Sequence, residues 1–183
     1  MVDLYYGGSD SGVDVDVERW IRTAVSLRAV VITNFELQYR KFQGNDLDYY
    51  HYVTLKQLTP EYLIAFMKSY SKRRRGAFHV FLKDCGSLFG TEVPSEWMDF
   101  FLQLRSLGAV VHIVSGPFEI LCGQLQGLID DCYFYYNSAP YSILYGLFGL
   151  ISYKQIHMKY STGVCYDKRS RYFARKQKCE VTT

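Results

Sequence analysis

The run from Leu58 to Ser115 constrains the fold most, because every local signal along it agrees with its neighbours. Thr59-Pro60 is a helix start: a hydroxyl able to cap, then a proline whose missing N–H costs nothing at the first helical position. Tyr62, Leu63, Phe66, Met67 and Tyr70 recur at helical spacing and predict one apolar face. Lys72-Arg73-Arg74-Arg75 then suits the negative end of the helix macrodipole, and Gly76 suits a left-handed cap. Ala77 to Leu82 reads as a strand and Gly90 to Pro94 as a loop. Ser95 is expected to cap a second helix, with Trp97, Phe101 and Leu104 on one face and Gly108 closing it. Ala109 to Val114 is a β-branched strand ended by Ser115-Gly116-Pro117. Trp97 and Phe101 are expected to pack against the helix that starts at Thr59.

The flanks read less regularly. Residues 1–16 carry Gly7-Gly8-Ser9-Asp10-Ser11-Gly12 and few apolar side chains, which predicts a flexible acidic arm. Its one apolar cluster, Leu4, Tyr5 and Tyr6, is too small to fold alone and is expected to dock on another copy, so that the protein polymerises. Val17 to Ser26 predicts a short helix. Ala29 to Tyr39 and Tyr49 to Leu55 alternate like strands around the Gln43-Gly44-Asn45-Asp46 turn signal, which predicts a hairpin. Phe118 to Asp131 fits a helix weakened by Gly123 and Gly127, or equally a strand and a loop. Tyr133 to Tyr136 and Tyr153 to Tyr160 read as strands. The expected architecture is a single α+β domain over residues 17–166, an antiparallel or mixed sheet packed with two main helices, with the arm 1–16 before it and a basic tail 167–183 after it.

Charge is distributed unevenly. Residues 1–18 hold five acids and no Lys or Arg, whereas residues 154–183 hold eight bases against two acids. Such polarity suits an anionic partner or head-to-tail contact between copies. The two basic clusters are Lys72, Arg73, Arg74, Arg75 and Lys168, Arg169, Arg171, Arg175, Lys176, Lys178. With Tyr172 and Phe173 beside the second, they are candidate sites for anionic lipid or nucleic acid, since Lys and Arg meet phosphate and aromatic rings stack on bases or sit among headgroups. Two solvated charge runs, or a nuclear-import address, fit the same residues.

Chemistry-bearing motifs are scarce. The five cysteines, Cys85, Cys122, Cys132, Cys165 and Cys179, never form Cys-x-x-Cys, which argues against a zinc cage or a disulfide framework and fits a reducing compartment. No Gly-x-x-x-x-Gly-Lys-Ser/Thr loop, Gly-x-Gly-x-x-Gly, His-Glu-x-x-His or Gly-x-Ser-x-Gly occurs. Cys85 with His79 or His112 is the one combination that offers a nucleophile and a base. Asp130-Asp131 has no third carboxylate nearby for a metal. No signal peptide opens the sequence, and its most apolar segment, Ile143 to Ser152, falls short of the ~20 residues of a spanning helix. The reading from motifs is therefore of no catalytic centre, no metal and no cofactor.

The order of elements, with Tyr62-Leu63-Ile64-Ala65-Phe66-Met67-Lys68-Ser69-Tyr70, Gly90-Thr91-Glu92-Val93-Pro94-Ser95-Glu96-Trp97-Met98, Leu104 to Ile113 and Gly116-Pro117-Phe118-Glu119, resembles the globular domain of rhabdovirus matrix proteins. That resemblance implies a non-enzymatic structural protein of the virion and host cytoplasm, peripheral at membranes. It would self-associate and bridge the viral nucleocapsid and the inner leaflet of the envelope, with RNA as a further partner. The four prolines are isolated, so the Pro-Pro-x-Tyr budding motif of animal-virus members is missing, and the acidic arm reverses the usual charge; both features would suit a plant-infecting member. The alternatives are a soluble nucleic-acid-binding accessory protein that suppresses host defence, and a small enzyme using Cys85 and a histidine.

Overall fold

The computed structural model describes residues 1–7, 12–37, 42–71, 77–90, 92–115, 127–137, 153–161 and 164–167. Eight strands form one sheet: β1 (Val2–Tyr6), β2 (Val30–Thr33), β3 (Tyr50–Tyr52), β4 (Phe78–Lys83), β5 (Ala109–Ser115), β6 (Asp131–Asn137), β7 (Tyr153–Ser161) and β8 (Val164–Asp167). Their order across the sheet is β3-β2-β4-β5-β1-β6-β7-β8. The first six in that order are mutually parallel, and β7 pairs antiparallel with both β6 and β8. Helices α1 (Val13–Ser26), α2 (Pro60–Ser71), α3 (Cys85–Phe89) and α4 (Ser95–Leu107) fill the connections.

A parallel sheet needs both faces covered, so its strands read as continuous apolar runs. Val30-Val31-Ile32-Thr33 is buried at all four positions, and β4 and β5 are nearly so. The chain moves one way across the sheet from β1 to β2 and the other way from β3 to β4 and from β4 to β5. Right-handed crossovers then place α1 on one face and α2 with α4 on the other. The contacts agree: α1 touches β1 and β2, while α4 touches β5 and α2. Trp97 and Phe101 are buried on the α4 face, as their helical spacing predicts, and Phe89 from α3 meets both edge-on or nearly so.

Two local predictions hold in detail. The Tyr62 N–H donates to Thr59 Oγ1 at 3.2 Å, so Thr59 does cap α2. Gly108 ends α4 at φ 64°, ψ 32°, the left-handed conformation in which a Cβ is disfavoured. A Cβ there would meet no atom within 4 Å, so only backbone strain opposes it. Gly108→Ala is expected to cost about 1 kcal/mol, measured as a drop in the urea midpoint at unchanged m.

Three expectations are corrected. The sheet is not built around an antiparallel hairpin: six of its strands are mutually parallel, β2 and β3 among them, with Val31 opposite Tyr50. Alternation in sequence is the same for either direction, and residues 34–49 are long enough for the crossover a parallel pair requires, about a dozen residues. The N-terminal segment is not a flexible arm, because residues 2–6 form β1, an inner strand between β5 and β6. Asp3 makes that segment look solvated, yet it is buried inside the sheet beside His112. The two main helices α2 and α4 are joined by a third, α1, which begins at Val13, four residues before the predicted helix.

Candidate functional site

Because six strands are parallel, their carboxyl ends line one edge of the sheet. Residues ending or following them there are Gly7 (β1), Asn34 (β2), Lys83 and Asp84 (β4), and Ser115 (β5). The chain leaves β1 toward β2 on one side, while β6 is added on the other, so β1 marks a switch in direction. Ligands of open α/β sheets bind outside the carboxyl ends at such a point.

The segment between β1 and α1 is Gly7-Gly8-Ser9-Asp10-Ser11-Gly12, and Gly8 to Ser11 lie outside the described residues. At its start the Gly7 N–H donates to the Ser115 carbonyl at 3.1 Å, tying the loop to β5. At its end Gly12 has φ 82°, ψ 6°, a left-handed turn that glycine takes without strain, and its carbonyl accepts from the Asp16 N–H at 3.1 Å. The spacing Gly7-x-x-x-x-Gly12 between a strand and a helix is the frame of a phosphate-cradling loop, in which backbone N–H groups and the helix N-terminus face the anion. The next two positions depart from that pattern: Val13 stands in place of Lys, and Asp14 in place of Ser or Thr. Val13 is 3% exposed and belongs to the apolar core.

Across from α1, the end of β4 is held tightly. Asn34 grips the Lys83 backbone twice: its Nδ2 donates to the Lys83 carbonyl, and its Oδ1 accepts from the Lys83 N–H, both at 2.7 Å. The Lys83 ammonium lies 2.5 Å from Asp14 Oδ1 and 4.9 Å from the centroid of the Phe35 ring. Asp84 follows in a left-handed conformation, φ 58°, and accepts a hydrogen bond from Ser87 Oγ at 3.0 Å.

A second polar cluster lies within the sheet. Asp3, His112 and His79 come from β1, β5 and β4, the first two directly opposite each other. Asp3 Oδ2 is 3.2 Å from His112 Nδ1, close but off-axis for a hydrogen bond. His112 Nε2 is 2.9 Å from His79 Nδ1. With His112 Nδ1–H turned to the carboxylate, its Nε2 presents a lone pair and His79 Nδ1–H donates. Burial, and then the neighbouring His112, push the His79 pKa down to about 4, with Asp3 opposing. Tyr5 stacks on Tyr133 at 4.7 Å beside this cluster, and burial pushes its hydroxyl up.

The residues singled out from sequence fall elsewhere. Lys72, Arg73, Arg74, Arg75 and Lys168, Arg169, Arg171, Arg175, Lys176, Lys178 lie outside the described residues. Leu4 and Tyr5 are buried and Tyr6 is half-buried, all on β1, so the cluster is used within the fold. Cys85 is buried at the start of α3, while the two histidines are engaged with each other and with Asp3 inside the sheet. Among the described residues no three His, Cys, Asp or Glu gather as a metal would need, and no helix is long and apolar enough to cross a membrane. Sequence reasoning misses Gly7, Gly12, Asp14, Asn34 and Lys83. The legible signal is Gly-x-x-x-x-Gly directly after Val-Asp-Leu-Tyr-Tyr; it reads as incomplete because the Lys-Ser/Thr pair that finishes the motif is missing.

No family model matches the sequence, and no curated protein resembles it closely enough in sequence to count as a relative. Solved structures do resemble it. The genome packaging NTPase B204 from Sulfolobus turreted icosahedral virus 2, in complex with ATP-gammaS, superposes with a TM-score of 0.60 at 12% identity, over 86% of this chain and 91% of that one. B204, the DNA-packaging ATPase from Sulfolobus turreted icosahedral virus, gives 0.57 at 13% identity, over 76% and 77%. The fold is therefore one that this chain shares with those two structures. This overturns the resemblance to rhabdovirus matrix proteins and the structural, envelope-lining role that came with it. It equally removes support from the accessory nucleic-acid-binding protein and the Cys/His enzyme. The expectation of a non-enzymatic protein, which rested on missing motifs, is overturned with it, since the structures that share this fold are an NTPase and an ATPase.

Proposed function

We propose that this chain is a nucleotide-binding protein of the P-loop NTPase class, taking the phosphates of a nucleoside triphosphate at the loop between β1 and α1. One observation carries the reading: a Gly-x-x-x-x-Gly segment runs from an inner strand of a parallel sheet into a 14-residue helix, at the switch point. The Gly12 turn brings the first turn of α1 to the carboxyl edge, where orphan N–H groups and the positive end of the dipole favour an anion. Lys83 is the cation that the described residues place at this edge.

The class implies a divalent cation, which in such sites is held by the Ser or Thr of the loop and an acidic residue on a neighbouring strand. Two carboxylates stand at this edge, Asp14 in the first turn of α1 and Asp84 after β4, and both are oxygen donors of the kind such a cation takes. The loop position holds Asp14, and its carboxylate is already matched by the ammonium of Lys83 from β4.

The test is equilibrium binding of a fluorescent ATP analogue to the full chain. Saturable binding displaced by ATP and ADP, but not by adenosine, is expected, because the phosphates carry the recognition. Gly12→Val forces a β-branched residue into a left-handed turn and should weaken binding by about tenfold or more, with circular dichroism reporting the fold. Phosphate release measured in the same samples gives turnover. Absence of saturable binding by the wild-type chain would reject the reading.

A further inference from the structure

We infer that the outer edge of β3 is an interface with a second copy of this chain, the two β3 strands pairing antiparallel about a twofold axis at Tyr52. This edge is remote from the loop after β1, with β2, β4 and β5 between them, so it stands apart from the nucleotide reading.

β3 ends the sheet, and among the described residues no strand lies beyond it. Its inner edge is committed to β2: the Val31 N–H donates to the Tyr49 carbonyl at 2.7 Å, and the Val53 N–H donates to the Thr33 carbonyl at 2.8 Å. Successive residues of a strand turn their backbone groups to opposite edges, so those of Tyr50 and Tyr52 face outward. Lysine or proline commonly protects such an edge, and Tyr50-His51-Tyr52 holds neither. A strand of three residues offers few hydrogen bonds, so side chains have to carry much of the contact. They are present. Leu47, Tyr52, Leu55 and Tyr62 are four of the eight large apolar side chains exposed among the described residues, which marks this side of the molecule as the stickiest. Behind them His51 meets Phe66 edge-on and Phe66 stacks on Tyr62, so the apolar surface runs from β3 onto α2.

Charge selects both the occupant and the direction. Asp46 and Asp48 precede β3 and Lys56 follows it, all three exposed. Antiparallel pairing of two identical strands brings the acids of each copy to the lysine of the other. Parallel pairing would set like charge against like. With Tyr52 on the axis, its outward N–H and carbonyl meet those of the same residue in the second copy, and the two rings lie side by side on one face. Such a contact uses the same patch on both molecules and closes after two copies.

The experiment is sedimentation velocity of the full chain over about a hundredfold range of concentration, for wild type, Tyr52→Pro and Lys56→Glu. Proline at position 52 removes an N–H that β2 does not use, and edge strands tolerate it where that group faces outward. Wild type should pass from monomer to dimer as concentration rises, while Tyr52→Pro stays monomeric with an unchanged circular dichroism spectrum. Lys56→Glu should raise the dimer dissociation constant about tenfold at low salt, because two symmetric contacts turn from attraction to repulsion. Added salt should narrow that difference. A wild-type chain that stays monomeric, or that grows past the dimer, would overturn the inference. So would a folded Tyr52→Pro that dimerises like wild type, since the copies would then meet elsewhere. If Tyr52→Pro misfolds, Lys56→Glu decides: its side chain is exposed, and dimerisation unchanged at low salt would equally overturn the pairing.

Discussion

Truncating Phe100 to alanine is expected to destabilise the chain by ~3–5 kcal/mol, the range for large buried aromatics. Phe100 is 0% exposed on α4, at the point where that helix meets the sheet and α2. Its ring meets Trp97 edge-on at 5.7 Å and 90°, and Phe101 at 5.9 Å. Removing it leaves a cavity walled by rings that cannot collapse far, because Trp97 and Phe101 are also held by Phe89. Leu102 on the same helix is 71% exposed, and Leu102→Ala should change stability by less than about 0.5 kcal/mol. Urea denaturation at constant m separates the two. A Phe100→Ala cost below about 1 kcal/mol would show that this face of α4 is not core.

Acidification should destabilise the fold through His79. Its pKa is about 4 in the folded chain against 6.5 unfolded, so the unfolded state binds the proton first. The stability that the neutral ring contributes is complete above pH 6.5 and is lost progressively as pH falls toward 4. Incomplete burial of the ring and partial screening by solvent put the loss at about 1–3 kcal/mol. His51, whose pKa burial also lowers, adds to the same slope. His79→Gln should flatten the wild-type dependence between pH 6.5 and 4, followed as chemical-denaturation midpoints; an unchanged slope would show that His79 is not the titrating group. Asp3 faces the histidine pair and works against this loss by favouring the charged imidazole.

The parts of the fold legible in sequence are those whose partners are local. Thr59, Gly108 and the spacing of Trp97 and Phe101 act within one helix or its cap, so α2, β4, α4 and β5 can be placed to within a residue or two. The direction of pairing is not local. Val30 to Thr33 and Tyr50 to Tyr52 have the same alternation whether they make a hairpin or lie parallel across a crossover. β1 is the hardest to see, because a strand with Asp3 inside it reads as polar until His112 and His79 are brought beside it from two other strands. A pattern of helix, strand, helix, strand is shared by folds of quite different function, so the order of elements in the central unit does not by itself separate this fold from that of a matrix protein. The candidate site is half legible: Gly7 and Gly12 stand at the right spacing, but Lys83 gains meaning only from its 2.5 Å approach to Asp14.

The placement of β1 also dictates an order of assembly. Its two flanking strands come much later in the chain; Val2 already reaches to Asp130, 128 residues on, where its N–H meets the carboxylate. Synthesis therefore delivers β1 well before either of its neighbours, β5 and β6. Until β5 and β6 have emerged, Leu4 and Tyr5 sit on an extended segment with both backbone edges open, and closure over so long a separation is slow. During that interval the nascent chain presents the kind of sticky, unpaired segment that chaperones recognise and that aggregation exploits.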